Sequence, residues 1–322
     1  MVQGLLRKKI LITGASGFVG ASLARFLVNR GFYPHIFLRE DSDLWRIRDI
    51  LPRLKSHILD LCDETATRRA VSRLKPQIVL HCAAYGGYHF QLDSEKIAGT
   101  NIIATLNLLN SSIKNGCECF VNTGSSSEYG LKDKPMRESD LLEPVTDYAA
   151  AKASATLFCR AVAKRENVPV VTLRLFSAYG PYEQGHRLIP SVILSCLRHD
   201  DPRLSSGSSV RDFVFIDDVV NAYIRAIANK ERILGEIINI GSGSEYPVRE
   251  AVERIISLSS CRVSPLWRKV SNPRIEPLRW QADITKAKKL LGWSPVFTLE
   301  QGLNKTLKWF RDNAGLYNGK RI

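Results

Sequence analysis

The chain has 322 residues, 44% hydrophobic and 24% charged, with a formal net charge of +14. That is an ordinary globular composition, long enough for one large or two modest domains, and no apolar run reaches the roughly 20 residues of a membrane span. Basic residues are dispersed, as at Arg68-Arg69 and Lys320-Arg321, without an arginine-rich block; this points away from nucleic acid and towards anionic small molecules.

Residues 10–13 form a short apolar β-type run, and Gly14-Ala15-Ser16-Gly17-Phe18-Val19-Gly20 follows at once. Val19, Leu23, Phe26 and Leu27 then fall on one helical face, with Gly31 where a C-terminal cap belongs. Strand, glycine-rich turn and helix in this order read as a dinucleotide site. Such glycines serve a tight turn, close approach to a phosphate and close helix–strand packing, and the helix N-terminus faces the pyrophosphate. Residues 34–38 read as the second strand, whose end selects the cofactor. Arg39 with Ser42, and Arg46 nearby, would hold the 2′-phosphate of NADP(H); Glu40 or Asp41 would instead hold the ribose of NAD(H). NADP(H) is the favoured reading over NAD(H).

The alternation continues. Residues 56–60 form a strand that places Asp60 and Leu61 at the adenine, and residues 64–74 an amphipathic helix. Residues 77–82 are a strand ending in His81-Cys82-Ala83-Ala84, where Ala83 and Ala84 let backbone approach a cofactor. A helix over 97–115 carries Asn101 near its start, and a strand over 118–122 runs into Thr123-Gly124-Ser125-Ser126-Ser127-Glu128-Tyr129-Gly130. Cys117 and Cys119 make a lone C-x-C, which is no zinc site; seven scattered cysteines read as reduced thiols of a cytoplasmic protein, with no metal. The N-terminus does not read as a signal peptide. Strands alternating with helices predict a doubly wound parallel α/β sheet with ligands at the carboxyl ends of its strands.

Tyr148-Ala149-Ala150-Ala151-Lys152 opens a helix over 148–166. A tyrosine and a lysine four apart share a helix face, and an ammonium beside a phenol favours the phenolate, which would lower the tyrosine pKa and make it an acid/base. After a strand over 170–176 the alternation ends. Helices are expected over 187–198, 217–229, 247–258, 283–291 and 299–313, with strands over 210–216 and 235–240. This predicts a dinucleotide-binding part, residues 1–176, and a mainly substrate-binding part, residues 177–322, with some segments returning to the sheet. The helices over 97–115 and 148–166 are apolar beyond one stripe (Ile102, Ile103, Leu106, Leu108, Leu109; Leu157, Phe158, Val162), which predicts a homodimer through a four-helix bundle.

Several motifs together resemble the extended short-chain dehydrogenases/reductases, in their nucleotide-sugar epimerase/dehydratase/reductase branch. They are Thr13-Gly14-x-x-Gly17-x-x-Gly20, Asp60, Asn101, the serine loop, Tyr148-x-x-x-Lys152, Arg174-Leu175-Phe176, Tyr179-Gly180-Pro181 and Val210-Arg211-Asp212-Phe213-Val214. The tail adds Ala282-Asp283-Ile284-x-Lys286-Ala287 and Leu291-Gly292-Trp293-x-Pro295. Within the branch, the serine loop resembles GDP-6-deoxymannose reductases and residues 211–218 resemble CDP-abequose synthases. The resemblance implies a Rossmann-type sheet with a smaller C-terminal substrate-binding cap, and a nucleotide-diphosphate sugar as substrate. It implies Ser125, Tyr148 and Lys152 as catalytic residues. The implied cofactor set is Gly14, Ser16, Gly17, Phe18, Val19, Gly20, Arg39, Ser42, Asp60, Leu61, Ala83, Ala84, Asn101, Tyr148 and Lys152. The implied substrate set is Ser126, Ser177, Arg187, Arg211 and Arg274, with Arg211 on the pyrophosphate and residues 184–189 near the base. Ser177 stands where the branch usually has asparagine, and Ser126-Ser127 stand where 4,6-dehydratases carry acids, so dehydration is the least expected chemistry. The expected reaction is reduction of an NDP-4-keto-6-deoxyhexose at C4; the alternatives are an NAD-dependent 4-epimerase and, remotely, a non-catalytic dinucleotide sensor.

Overall fold

The computed structural model describes residues 8–269 and 278–317. Its strands in the first half are β1 (Ile10–Thr13), β2 (His35–Leu38), β3 (Lys55–Ile58), β4 (Ile78–His81), β5 (Cys119–Ser125) and β6 (Val170–Leu175). The second half adds β7 (Ser177–Tyr179), β8 (Val210–Arg211), β9 (Phe213–Phe215), β10 (Ile237–Ile240), β11 (Tyr246–Pro247) and β12 (Arg279–Trp280). The helices are α1 (Phe18–Val28), α2 (Glu64–Leu74), α3 (Ser94–Ala98), α4 (Ala104–Lys114), α5 (Asp147–Glu166), α6 (Leu188–Arg198), α7 (Ile216–Ala228), α8 (Val248–Ser259), α9 (Thr285–Leu291) and α10 (Leu299–Asn313).

Seven strands form one parallel sheet in the order β10-β6-β5-β4-β1-β2-β3. Side chains alternate across a strand, so a sheet covered on both faces needs apolar residues at every position. In β1, Ile10 and Ile12 face the core shared with α1 and α7, while Leu11 faces the core shared with α2 and α4. The order reverses between β1 and β4, which opens a crevice at their carboxyl ends. There Thr13 stands beside His81, and the buried imidazole bridges the Thr13 and Thr105 hydroxyls at 2.7 and 2.9 Å. Burial pushes the His81 pKa down to about 3, so it is a neutral strut.

The structure departs from the sequence expectation at particular points. The run 210–216 is two strands in two small sheets: β8 lies between β11 and β12, and β9 pairs with β7. The break is at Asp212, whose buried carboxylate accepts N–H groups from Gly243 and Ala282 at 3.0 Å and the Ser242 hydroxyl at 2.8 Å. The helix over 97–115 is one turn longer at its start and carries a π-turn over Gly99–Ile103 between α3 and α4. Gly31 closes α1 as the sequence suggests: it has φ +85°, its N–H donates to the Val28 carbonyl at 3.0 Å and the Phe32 N–H to the Leu27 carbonyl at 3.1 Å, the bond pair of a Schellman cap.

Candidate active site

The glycine turn leaves no room for side chains at Gly14 and Gly20. Gly14 has φ +66°, and a Cβ on it would lie 2.5 Å from the Cys82 carbonyl; a Cβ on Gly20 would lie 2.2 Å from the Gly14 oxygen. The Gly17 N–H closes the turn onto the Gly14 carbonyl at 2.9 Å. No side chain caps α1, and no acid sits in its first turn, where Phe18 and Val19 are half-buried. A bare backbone cradle at an uncapped helix N-terminus fits the pyrophosphate of a dinucleotide.

Around it, the expected cofactor residues fall into two groups. Arg39 is exposed, its Nε 3.0 Å from Asp41, while its N–H donates to the Ser42 hydroxyl at 2.9 Å. Asp60 is exposed with its carboxylate on the Cys62 N–H at 2.8 Å; Leu61 is buried, Ala83 half-buried and Ala84 exposed. Two residues do something other than touch a cofactor. Arg46 is not available to a 2′-phosphate: it is 6% exposed and its guanidinium is bound to the Ser16 and Tyr182 carbonyls and to Gln184. Asn101 is fully buried by the π-turn, with its amide donating to the Tyr85 carbonyl at 2.6 Å and the Ile97 carbonyl at 2.8 Å. It shapes the loop after β4 from beneath.

Tyr148 sits in the first turn of α5, which Thr146 caps through the Ala149 N–H at 3.2 Å. Lys152 is one turn on and 2% exposed. The strand β5 runs longer than expected and delivers Ser125 at its end. The Ser125 hydroxyl lies 2.7 Å from the Ser127 hydroxyl and acts on Tyr148. The expected drop in the Tyr148 pKa is reversed. Burial pushes the phenol up to about 12; Ser125 and Arg187 oppose the rise, while Glu128 and Tyr88 add to it. Lys152 instead faces Glu128, Cys159 and Cys82, and burial lowers its pKa. Its ammonium is embedded beside the end of β4, and desolvation of the phenol outweighs any help it gives Tyr148.

Glu128 explains the loop. It is fully buried, one oxygen accepting from the Ser125 N–H at 2.8 Å and the other from Arg174 Nε at 2.7 Å. Arg174 is 1% exposed and stacks 4.6 Å over Tyr129, whose hydroxyl donates to Asn239 at 2.7 Å. The ion pair fixes the short helical turn Ser126–Tyr129 and hence the direction of Ser125. It also turns Glu128 away from the serine hydroxyls.

Of the substrate set, Ser126 is buried under the loop, and Ser177 is half-buried with its N–H on the Asp212 carbonyl at 3.0 Å. Arg187 is the residue before α6, 3.6 Å from Glu183, and its charge reaches Tyr148. Arg211 stacks 4.9 Å over Trp280 and donates to the Val210 carbonyl at 2.9 Å. Arg274 lies outside the described residues.

With this geometry in place, the sequence profile described as the NAD dependent epimerase/dehydratase family matches residues 10–241. The chain belongs to this family. It is 28% identical to a dTDP-glucose 4,6-dehydratase of Neisseria meningitidis serogroup B, covering 95% of this chain and 94% of that one. The fold matches the UDP-glucose 4-epimerase of Thermotoga maritima, solved with UDP-glucose, at a TM-score of 0.87 and 27% identity, covering 95% of this chain and 99% of that one. It also matches the UDP-glucuronic acid 4-epimerase of Bacillus cereus, solved with UDP-glucuronic acid and NAD, at 0.83 and 25%, covering 94% and 99%. The chain is thus an enzyme of the nucleotide-sugar epimerase/dehydratase branch.

For a family member, three residues escaped the sequence reading in whole or part. Arg174 gave the signal that was available: a cation inside the apolar run Val170–Leu175 must find a buried anion, and Glu128 is that anion. Tyr88 acts on Tyr148 from the loop after β4, which has no periodicity to place it. Arg46 lies on an irregular segment, and its fork is visible only in three dimensions.

Proposed function

We propose that the chain reduces an NDP-4-keto-6-deoxyhexose at C4 with NADPH. The observation that carries this reading is the Tyr148–Ser125 hydroxyl pair with Glu128, the one acid of the serine loop, locked onto Arg174. That arrangement handles a proton at one oxygen and offers no carboxylate to remove protons from neighbouring carbons. Burial holds Tyr148 protonated, up to about 12, which is the state a proton donor to a carbonyl requires. Ser125 orients the carbonyl oxygen, and Lys152 grips the cofactor ribose from beneath. The bound nicotinamide supplies the hydride. The glycine turn and α1 hold the pyrophosphate, with Asp60, Leu61, Ala83 and Ala84 along the adenosine side and Arg39 with Ser42 at the ribose. Ser126, Ser177, Arg187, Arg211 and Arg274 serve the sugar nucleotide, placed between the sheet edge and residues 177–322.

One observation favours a second reading, an NAD-dependent 4-epimerase. Asp41 pairs with the guanidinium of Arg39, which weakens the case for a 2′-phosphate there, and the Bacillus cereus 4-epimerase was solved with NAD. The two are separated by one assay. NADPH oxidation with an NDP-4-keto-6-deoxyhexose, by protein purified without bound cofactor, supports the reductase. Tightly bound NAD, with interconversion of an NDP-hexose and its C4 epimer in the absence of added cofactor, would overturn it.

The quaternary proposal is a homodimer. Ile103, Leu157 and Phe158 are 48%, 54% and 44% exposed on the outer faces of the π-turn and α5. A second copy covering these faces completes a four-helix bundle. All seven cysteines are free thiols, which suits a reducing cytoplasm.

A further inference from the structure

Arg46 ties together two segments that otherwise meet nowhere near each other in sequence. Its Nη1 donates to the Ser16 carbonyl in the glycine turn at 3.2 Å. Its Nε donates to the Tyr182 carbonyl at 2.7 Å, and its Nη2 donates to the Gln184 side chain. The guanidinium stacks 4.3 Å over Trp45, and the Arg46 carbonyl is held by Arg25 of α1 at 2.9 Å. A planar fork with several fixed donors suits this three-way role, and a flexible ammonium does not.

The segment it grips is strained. Tyr182 has φ +68°, a left-handed conformation unfavourable for a side-chain-bearing residue. The Tyr182 ring is clamped by Arg25 at 4.0 Å and Trp309 at 4.4 Å. The next residue, Glu183, is buried with Oε2 lacking a hydrogen-bond partner among the described residues, and His186 Nε2 is in the same position. The segment then ends at Arg187, whose charge acts on Tyr148. Strain held in place by contacts elsewhere is the mark of an element with more than one posture.

We propose that Arg46 is a positioning residue that couples the dinucleotide turn to residues 182–187, so that filling the turn orders this segment up to Arg187. An anion on the turn draws the N–H groups of residues 14–20 towards itself and fixes the Ser16 carbonyl in the direction of Arg46. The fixed guanidinium then holds the Tyr182 carbonyl and Gln184. By linkage, a sugar nucleotide that engages residues 182–187 tightens dinucleotide binding by the same factor. The proposal rests on the dinucleotide reading of the turn and not on the sugar chemistry.

Hydrogen exchange on the full chain, with and without saturating NADPH and, separately, NADH, tests it. In the wild type, amides of 14–20 and of 182–187 slow together, the latter by about fivefold, the lower range of coupling between sites. In Arg46→Met, 14–20 still slows but the cofactor-dependent slowing of 182–187 disappears. Gln184→Leu keeps the tie to the turn and removes one loop partner, so the slowing shrinks in a variant that leaves Arg46 in place. A purely structural Arg46 would loosen 182–187 equally in both states; an unchanged ratio in both variants overturns the coupling. Absence of slowing at 14–20 in the wild type overturns it together with the dinucleotide reading.

Discussion

Tyr148 is held protonated by its surroundings, and its hydroxyl is the proton source in the proposed reaction. Tyr148→Phe keeps the ring and removes the proton, so turnover should fall by about 100-fold or more. Titration with NADPH should be unchanged, because the glycine cradle does not depend on the hydroxyl; near wild-type turnover in this variant would remove Tyr148 from the chemistry. A second residue-scale consequence comes from Glu183. Burial raises its carboxyl from an ordinary 4.5 to about 7, against the opposing charges of Arg187 and Arg46; the Tyr179 and Tyr317 phenols also face it. The folded state therefore binds this proton more tightly than the unfolded chain does. The stability it contributes is full below pH 4.5 and is lost as pH rises through about 7. Glu183→Gln should gain in Tm relative to the wild type between about pH 5 and about pH 8. A difference that stays flat across that range would show that Glu183 is not buried as described.

At the scale of elements, the glycine turn and α1 form one unit because backbone touches backbone. A methyl at Gly20 would press on the Gly14 oxygen at 2.2 Å, with no flexible side chain to give way. Gly20→Ala should lower stability by about 1–3 kcal/mol, the usual range for overpacking, and weaken dinucleotide binding at the same time. Denaturant unfolding and cofactor titration on the same preparation check both, and wild-type values in the two would contradict the close packing. The serine loop shows a different logic. Its direction is set by the capping box of Ser125 and Glu128 together with the Glu128–Arg174 ion pair, which ties the turn after β5 to β6. The exposed face of α5 is a third case. Substituting Leu157 and Phe158 together with Glu and Ser should halve the mass seen by light scattering while leaving NADPH binding intact.

At the scale of the whole molecule, the chain brings its two halves together at the carboxyl edge of the parallel sheet. The strand β10 from the second half completes the sheet beside β6, and Asn239 on it receives the Tyr129 hydroxyl from beneath the serine loop. The tail serves the same purpose. The Trp293 indole N–H donates to the Asp218 carbonyl at 3.0 Å, and the Asp218 carboxylate accepts from Val296 at 2.9 Å and Phe297 at 3.1 Å. The tail is thus fastened to the start of α7. Ligands that fill the crevice should stabilise the whole fold by mass action. At a concentration 100 times Kd the gain is about 2.7 kcal/mol. A thermal-shift panel of NADP, NAD and the UDP, GDP, CDP and dTDP sugars should show the largest shift for NADP with one base; a larger shift for NAD would favour the epimerase reading.

The sequence by itself determined the architecture, because it is written in local patterns. Apolar runs such as Ile10–Thr13 and Val170–Leu175 are strands buried on both faces, and Gly14 and Gly20 leave no space for a side chain where backbone passes backbone. The helix carrying Tyr148 and Lys152 followed from its alanines. What the tertiary structure alone decided are the quantities that depend on distant neighbours. The Tyr148 pKa rises instead of falling because desolvation, invisible in a helical spacing, outweighs a nearby cation. Asp212 splits one predicted strand because its partners come from residues 242, 243 and 282. Arg46 leaves the cofactor and joins two loops because residue 182, 136 positions away, lies within hydrogen-bond reach. Local backbone preference is set by neighbours along the chain; charge, burial and hydrogen-bond partnership are set by neighbours in space.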